Sequence, residues 1–379
     1  MTIPLVDLQA QYHSIRAEID QAIAGVLRQS DFILGTAVTE FQTAFARFVG
    51  ARHCIGVASG TDALFLSLRA VGIGPGDKVL LPANTFIATA LAVSYTGATP
   101  VLCDVDPVSY TLDVECARRA LTSHVKAIIP VHLYGQPADM EAVMELARVE
   151  GLTVIEDAAQ AHGAVHRLGR CGAFGRASGF SFYPGKNLGA YGDGGAICTN
   201  DDALAERLQL LRNWGSVQKY VHPVQGFNSR LDTLQAAVLL AKLSHLAEWN
   251  HRRRQVAGWY RQALAPLAGR LELPAEAPWT SEHVYHLFVV KLCDSDRDAV
   301  LKQLHAAGIG AGIHYPVPIH LQEAYAHLGH RRGSFPVTEE AASRILSLPL
   351  YPELSRPRLD RVVQGLAKAL GRSERARGM

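Results

Sequence analysis

The stretch FSFYPGKNLGAYGDGG, residues 180–195, holds a single lysine, Lys186, among turn-forming residues. Pro184 and Gly185 before it, and Gly189, Gly192, Gly194 and Gly195 after it, deny the segment a regular helix and let backbone approach a ligand closely. Phe180 to Tyr183 alternates aromatic with small polar residues, the pattern of a strand that delivers the lysine to a pocket wall. A lysine so placed can form a Schiff base with a carbonyl compound. Read in isolation, a surface lysine on a glycine-rich loop is the more ordinary meaning, because most lysines are exposed.

A second constellation upstream changes that balance. GLTVI, residues 151–155, is a short apolar strand that runs into Glu156-Asp157-Ala158-Ala159-Gln160-Ala161-His162-Gly163. A carboxylate at the C-terminal end of a buried parallel strand lies where open α/β sheets bind ligands. Asp157 is therefore a candidate partner for the pyridinium nitrogen of pyridoxal 5'-phosphate, keeping the ring protonated as an electron sink. Gln160 follows three residues later, so a turn returns its amide to the same pocket, within reach of the cofactor's ring oxygen. Either residue alone also reads as a solvated strand-end cap.

A third constellation offers an anion cradle. HCIGVA, residues 53–58, reads as a strand, and Ser59-Gly60-Thr61-Asp62 opens an apolar helical run from Ala63 to Val71. Ser and Thr before such a run are helix N-caps, and the free N–H groups with the positive end of the helix dipole favour a phosphate. Pro82-Ala83-Asn84-Thr85-Phe86 follows another apolar strand, Lys78 to Leu81, and presents Phe86 as a plate to stack on a planar ring. Taken singly, the Ser-Gly-Thr is a plain cap and Phe86 an ordinary core residue.

In this order, SGTDAL, PANTFIATA, VIEDAAQAHGA, FSFYPGKNLGAYGDGGA and GFNSRLDTLQAA resemble the DegT-type family of nucleotide-sugar aminotransferases, over about Pro4 to Pro352. The resemblance implies an α/β chain of the aspartate-aminotransferase-like fold type I, with a mainly parallel sheet in a large cofactor-binding domain and a smaller α+β C-terminal domain. It implies pyridoxal 5'-phosphate joined to Lys186, Asp157 on the pyridine nitrogen, Gln160 on the ring oxygen, and Gly60, Thr61 and Ser181 on the phosphate. Asn228, in GFNSRLD, would cross a homodimer interface to the neighbouring subunit's phosphate. Lysine at 186 argues against the dehydratase members, which carry histidine there. VHLYGQPADM, GIHYPVPIHLQ and KLSHLAEWN most resemble members that aminate dTDP-3-keto-6-deoxyhexoses at C-3, and the resemblance implies glutamate as donor. A UDP-linked 3-keto or 4-keto hexosamine or a cyclitol ketone is the runner-up, and a non-catalytic regulatory member of the fold is the reading from another class. His314 and Tyr315, in the HYP loop, and Tyr183, beside the lysine, are candidate sugar contacts. So are Lys219 and Tyr220, the lysine suiting the nucleotide's diphosphate.

Composition is compatible with a large enzyme. At 379 residues the chain suggests two domains, divided here as 1–250 and 251–379, and 48% hydrophobic residues supply an ample core. A formal net charge of +2 indicates neither a nucleic-acid surface nor a membrane face. The start, MTIPLVDLQAQYHSIRAEI, carries acidic residues and no apolar signal-peptide core, and the most apolar stretch, Val79 to Leu102, is broken by Pro82, Asn84, Thr85, Ser94 and Gly97. The six cysteines form no CxxC and several lie in strand-like runs, which suits reduced thiols in a cytoplasmic protein. The histidines form no ligand cluster, so no metal is expected.

Strands are expected at Cys54–Ala58, Lys78–Leu81, Thr99–Asp104, Ala127–Pro130, Thr153–Glu156, Gly179–Phe182 and Gly195–Thr199. Amphipathic helices such as Met140 to Val149 separate most of them, which implies helices on both faces of the sheet. One long helical pattern runs from Ser229 to Tyr260 and links to the second domain. There the apolar runs His286–Leu292 and Ile345–Leu350 flank a helix from Asp296 to Ala307.

Overall fold

The computed structural model describes residues 2–377. Its main sheet is built from β1 (His53–Val57), β2 (Lys78–Pro82), β3 (Thr99–Cys103), β4 (Val125–Ile128), β5 (Thr153–Asp157), β6 (Ala177–Ser181) and β7 (Gly195–Thr199). Each lies within two residues of a run expected from sequence. The order is β1-β7-β6-β5-β4-β2-β3. Strands β2 to β6 pair in parallel, whereas β7 is antiparallel to both β1 and β6.

These strands are buried along most of their length because both faces of the sheet are covered. On β2, Val79 and Leu81 join one cluster with Ile55, Ile155 and the helix α1 (Gly60–Ala70), while Leu80 joins another with Ile128, Val154 and the helix α2 (Met140–Glu150). On β6, Phe180 enters a third cluster with Phe41, Phe45 and Phe182; Phe180 and Phe182 meet the Phe45 ring edge-on at 5.0 and 5.3 Å, and Phe41 stacks on it at 5.5 Å. Truncating a ring in such a cluster costs about 3–5 kcal/mol.

One consequence of strand direction sets the site. Since β7 runs against both neighbours, β1 and β6 point the same way, and Gly195 pairs with Val57 on one side and Ser181 on the other. The segments that leave β1, β5 and β6 therefore emerge together at one edge.

The expected helix from Ser229 to Tyr260 is two helices, α3 (Thr233–Leu243) and α4 (Leu246–Leu264). At the break the Ser244 hydroxyl donates to the Ala241 carbonyl, 2.8 Å, and the His245 N–H to the Lys242 carbonyl, 3.0 Å, so i−3 bonds replace the helical ladder. Leu246 of α4 packs with Phe41 and Phe180, while Val256, Tyr260 and Leu264 pack in a separate core. That second core holds the antiparallel sheet β8 (Leu271–Glu272), β9 (Phe288–Leu292) and β10 (Ile345–Leu348) with the helices Arg297–Ala306 and Arg356–Arg377, and Ile3 joins it from the start of the chain. No described helix is long and apolar enough to cross a membrane.

Candidate active site

Ser59 caps α1, its Oγ accepting from the Asp62 N–H at 3.1 Å. The first-turn N–H groups of Gly60 and Thr61 have no helical partner of their own. A side chain on Gly195 would meet the Ser59 carbonyl at 2.3 Å, and one on Gly60 would meet Ser181 Cβ at 2.6 Å. Glycine at both places thus lets the end of α1 sit directly against the end of β6. The result is a concave group of N–H and hydroxyl donors at a helix N-terminus, chemistry that fits a phosphate.

Asp157 ends β5 and is buried. Its Oδ2 accepts from Thr89 Oγ1 at 2.8 Å and its Oδ1 from the Ala159 N–H at 3.1 Å. Burial pushes its carboxyl up, and the Thr89 hydroxyl, the Ala159 N–H and the nearby Lys186 amine work against that. Lys186 follows a turn closed by its N–H on the Tyr183 carbonyl, 2.9 Å. Burial pulls its amine down to about 8 against the attraction of Asp157. The turn after Asp157 brings Gln160 back, with Oε1 accepting from the Tyr134 N–H at 2.7 Å and Nε2 donating to the Tyr315 hydroxyl at 3.0 Å.

Tyr315 also lies 5.4 Å from the Phe86 ring, at 36°. Phe86 is 53% exposed, so it is a plate facing open space and not an ordinary core residue. His314 donates or accepts at Nδ1 with Ser347 Oγ, 2.8 Å, its carbonyl accepts from the Tyr134 hydroxyl, and burial lowers its ring to about 4 with Lys186 adding to the shift. Tyr183, beside the lysine, is 61% exposed. The chain thus brings Gly60, Thr61, Phe86, Asp157, Gln160, Ser181, Tyr183, Lys186, His314 and Tyr315 to one region. Among the described residues no hydrogen bond or ring contact links Lys219, Tyr220 or Asn228 to Lys186, Asp157 or Gln160, although Ser229, next to Asn228, donates to Asp62 Oδ2 at 2.8 Å. Lys219 instead lies over the Tyr220 ring at 5.1 Å, and Tyr220 is 82% exposed.

Several supporting residues escape a sequence reading. Asn187 Nδ2 donates to Asn250 Oδ1 and to the Val284 carbonyl, each at 2.9 Å, and Lys242 Nζ donates to the Gly189 carbonyl at 2.7 Å, so the Lys186 loop is tied on both flanks. Beneath Asp157, buried Glu156 accepts from the Gly172, Phe174 and Gly175 N–H groups. It also accepts from His132 Nε2 at 3.0 Å; His132 Nδ1 takes the Ala138 N–H, which leaves the ring proton on Nε2. Thr85 and Thr89 had one available signal, their i,i+4 spacing.

A sheet edge that gathers a depressed lysine amine, a buried carboxylate and a phosphate-shaped helix end is the framework of a fold type I aminotransferase. Residues 13–367 match the DegT/DnrJ/EryC1/StrS aminotransferase family, and the chain belongs to that family. Among its relatives, the Saccharopolyspora erythraea protein named erythromycin biosynthesis sensory transduction protein EryC1 is 51% identical over 97% of this chain and 99% of its own. The Streptomyces venezuelae dTDP-3-amino-3,4,6-trideoxy-alpha-D-glucose transaminase is 49% identical over 99% of this chain and 98% of its own. The crystal structure of S. venezuelae DesV in complex with a ketimine intermediate superposes with a TM-score of 0.93 at 49% identity, covering 97% of this chain and 98% of that one.

Proposed function

We propose that this aminotransferase transfers an amino group from glutamate to C-3 of a dTDP-3-keto-6-deoxyhexose, with pyridoxal 5'-phosphate as cofactor. The observation that carries the reading is the pairing of Lys186, its amine pulled down to about 8, with the buried carboxylate of Asp157. Asp157 serves the ring nitrogen, Gln160 the ring oxygen, and Gly60, Thr61 and Ser181 the phosphate, with Phe86 on the ring face. When bound, pyridoxal phosphate supplies the electron sink that amino-group transfer needs. Lys186 Nζ is the attachment point between turnovers and, once freed, takes the proton from the glutamate α-carbon and later delivers one to sugar C-3. An amine near 8 suits both directions at neutral pH. His314, Tyr315 and Tyr183 face the sugar.

Asn228, Lys219 and Tyr220 complete the site from a second subunit of a homodimer. Supporting this, Trp214, Val217, Tyr220, Val221 and Val224 are exposed in one segment that ends beside Asn228, the kind of apolar patch that a partner covers. We divide the chain into a large cofactor-binding domain, 1–250, and a small domain, 251–379, whose Tyr315 overhangs the pocket. Free cysteines at all six positions suit a reducing cytoplasm.

The name of the 49%-identical relative favours the dTDP sugar, and the name of the 51%-identical one keeps a regulatory reading in view. The test is the purified protein with cofactor, glutamate and a panel of dTDP- and UDP-linked 3-keto and 4-keto sugars, with the aminated carbon located in the product. A dTDP-3-amino sugar is expected. Product from UDP-ketohexosamines alone would move the assignment to the runner-up, and a bound cofactor whose absorbance ignores glutamate would favour the regulator.

A further inference from the structure

Asp157 is held by more than its own strand. Thr89 lies in the first turn of the helix Ile87–Tyr95, is fully buried, and places Oγ1 2.8 Å from Asp157 Oδ2. Its one hydroxyl proton goes to that carboxylate, because Asp157 cannot donate when ionised. Thr85, four residues earlier and also buried, has its Oγ1 2.9 Å from Thr89 Oγ1. With the Thr89 proton already used, Thr85 must be the donor in this second bond. The two hydroxyls therefore form a chain with one direction, from Thr85 to Thr89 to Asp157, and donors in series strengthen one another in a low-dielectric interior.

We propose that Thr85 and Thr89 are positioning residues for the amino-transfer reaction, a directed hydrogen-bond relay that holds Asp157 ionised and aimed at the cofactor's ring nitrogen. The inference rests on the assignment of Asp157 made above. Besides Thr89 and the Ala159 N–H on Oδ1, the groups that act on Asp157 are Lys186, from the loop after β6, His132, from the segment after β4, and Tyr315, whose hydroxyl accepts from Gln160. Among the described residues none of these three hydrogen-bonds Asp157; Thr89 is the side-chain donor on that carboxylate.

The test uses the holoenzyme with Thr89→Val, which keeps shape and removes the donor, alongside Thr89→Ser, Thr85→Val, the double Val variant and Asp157→Ala. Loss of a hydrogen bond to a charged group corresponds to roughly a ten-fold effect or more. Thr89→Val should lower kcat about ten-fold with KM for glutamate little changed. The acid limb of its pH–rate profile, and the pH dependence of the bound cofactor's absorbance, should move up by about one unit, because a carboxylate without its donor protonates more easily. Thr89→Ser should restore both. Thr85→Val should shift them in the same direction by less, and should add nothing in the Thr89→Val background, since the relay has one route.

A folded Thr89→Val with wild-type kcat and an unmoved profile overturns the relay, as does full additivity of the two Val changes. If Thr89→Val does not fold, Thr85→Val decides by the same profile, and no shift there overturns it. Near-wild-type turnover in Asp157→Ala would overturn the parent assignment together with the relay; an inactive Asp157→Ala beside a wild-type-like Thr89→Val overturns the relay alone.

Discussion

The Tyr134 N–H donates to Oε1 of Gln160 at 2.7 Å, which fixes that amide with Nε2 outward, 3.0 Å from the Tyr315 hydroxyl. Tyr134 reaches this position with φ of 60°, followed by Gly135 at 98°. A non-glycine residue in the left-handed region is uncommon and costs energy, so the bend that aims this N–H is stabilised by its surroundings. Buried Tyr134 also donates its hydroxyl to the His314 carbonyl, linking the segment after β4 to the loop that carries Tyr315.

Gln160→Glu tests the fixed amide. The change keeps length, shape and the acceptor that the Tyr134 N–H needs, but puts a carboxylate oxygen where the cofactor's ring oxygen needs a donor. We expect kcat to fall about 10- to 100-fold and the bound cofactor's absorbance maximum to move, because a good donor turns into a repulsive oxygen. Absorbance spectra and steady-state rates check it; both unchanged would remove Gln160 from the site.

Gly60 and Gly258 make a contrasting pair. A Cβ on Gly60 would lie 2.6 Å from Ser181 Cβ and 3.0 Å from its Cα, so Gly60→Ala must push α1 away from β6. Cofactor retention should drop at least ~10-fold, read as the dissociation constant of the apoprotein for pyridoxal phosphate. Gly258 lies within α4 with nothing within 4 Å of a built Cβ. Gly258→Ala should instead stabilise the fold by about 0.5–1 kcal/mol with no change in cofactor binding. Equal behaviour of the two variants in the binding assay would count against the cradle.

The sequence made some of this visible because the signals are local. Apolar runs ending in turn residues located all seven strands of the main sheet, and Ser59-Gly60-Thr61, Asp157 and Ser181 lie at or just beyond strand ends on one side of it. Strand direction is not a local property, so nothing in Gly195–Thr199 announced that β7 runs against its neighbours. The split between α3 and α4 falls at Ser244 and His245, two residues in an otherwise helical pattern. Lys242 reads as a surface residue within LLAKL, yet it is fully buried because its amine reaches the Gly189 carbonyl, 53 residues away in sequence. Thr89 was hidden for the same reason, its partner Asp157 lying 68 residues downstream.

Two buried histidines predict an acid limit to stability. Burial pulls both His162 and His283 down to about 3, with nearby Lys186 adding to the first and Arg261 to the second. An unfolded histidine binds a proton below about pH 6.5, while these folded rings do not until far lower. Stability is therefore full above pH 6.5 and falls as pH drops from there toward 3, by about 1.4 kcal/mol per pH unit for each ring. His162 sits among Phe45, Phe180 and Phe182 with neither nitrogen partnered. His162→Leu should keep the fold and remove about 1–2 kcal/mol of the stability lost between pH 7.5 and 5.5, measured by urea unfolding at both values. An identical acid loss in variant and parent would show that His162 does not carry it.

Shared sites give the least local expectation. In one chain Asn228 is exposed and, among the described residues, no hydrogen bond or ring contact links it to Lys186, Asp157 or Gln160, while the segment that leads to it exposes Trp214, Val217, Tyr220, Val221 and Val224. If a twofold partner covers that segment, each pocket draws Lys186 from one chain and Asn228 from the other. Lys186→Ala should abolish turnover, because among the described residues Lys186 is the amine that acts on Asp157. Asn228→Ala should weaken cofactor retention and lower activity at least ~10-fold through the lost phosphate contact. Mixed dimers of the two variants decide the arrangement. With shared sites, one pocket carries both defects and the other neither, so the mixed dimer should recover close to half the wild-type activity. With sites built from single chains, every pocket keeps one defect and no recovery occurs. Tagged heterodimers isolated before assay, with Asn228→Ala alone confirmed as impaired, make the second outcome a clear rejection of the cross-subunit role.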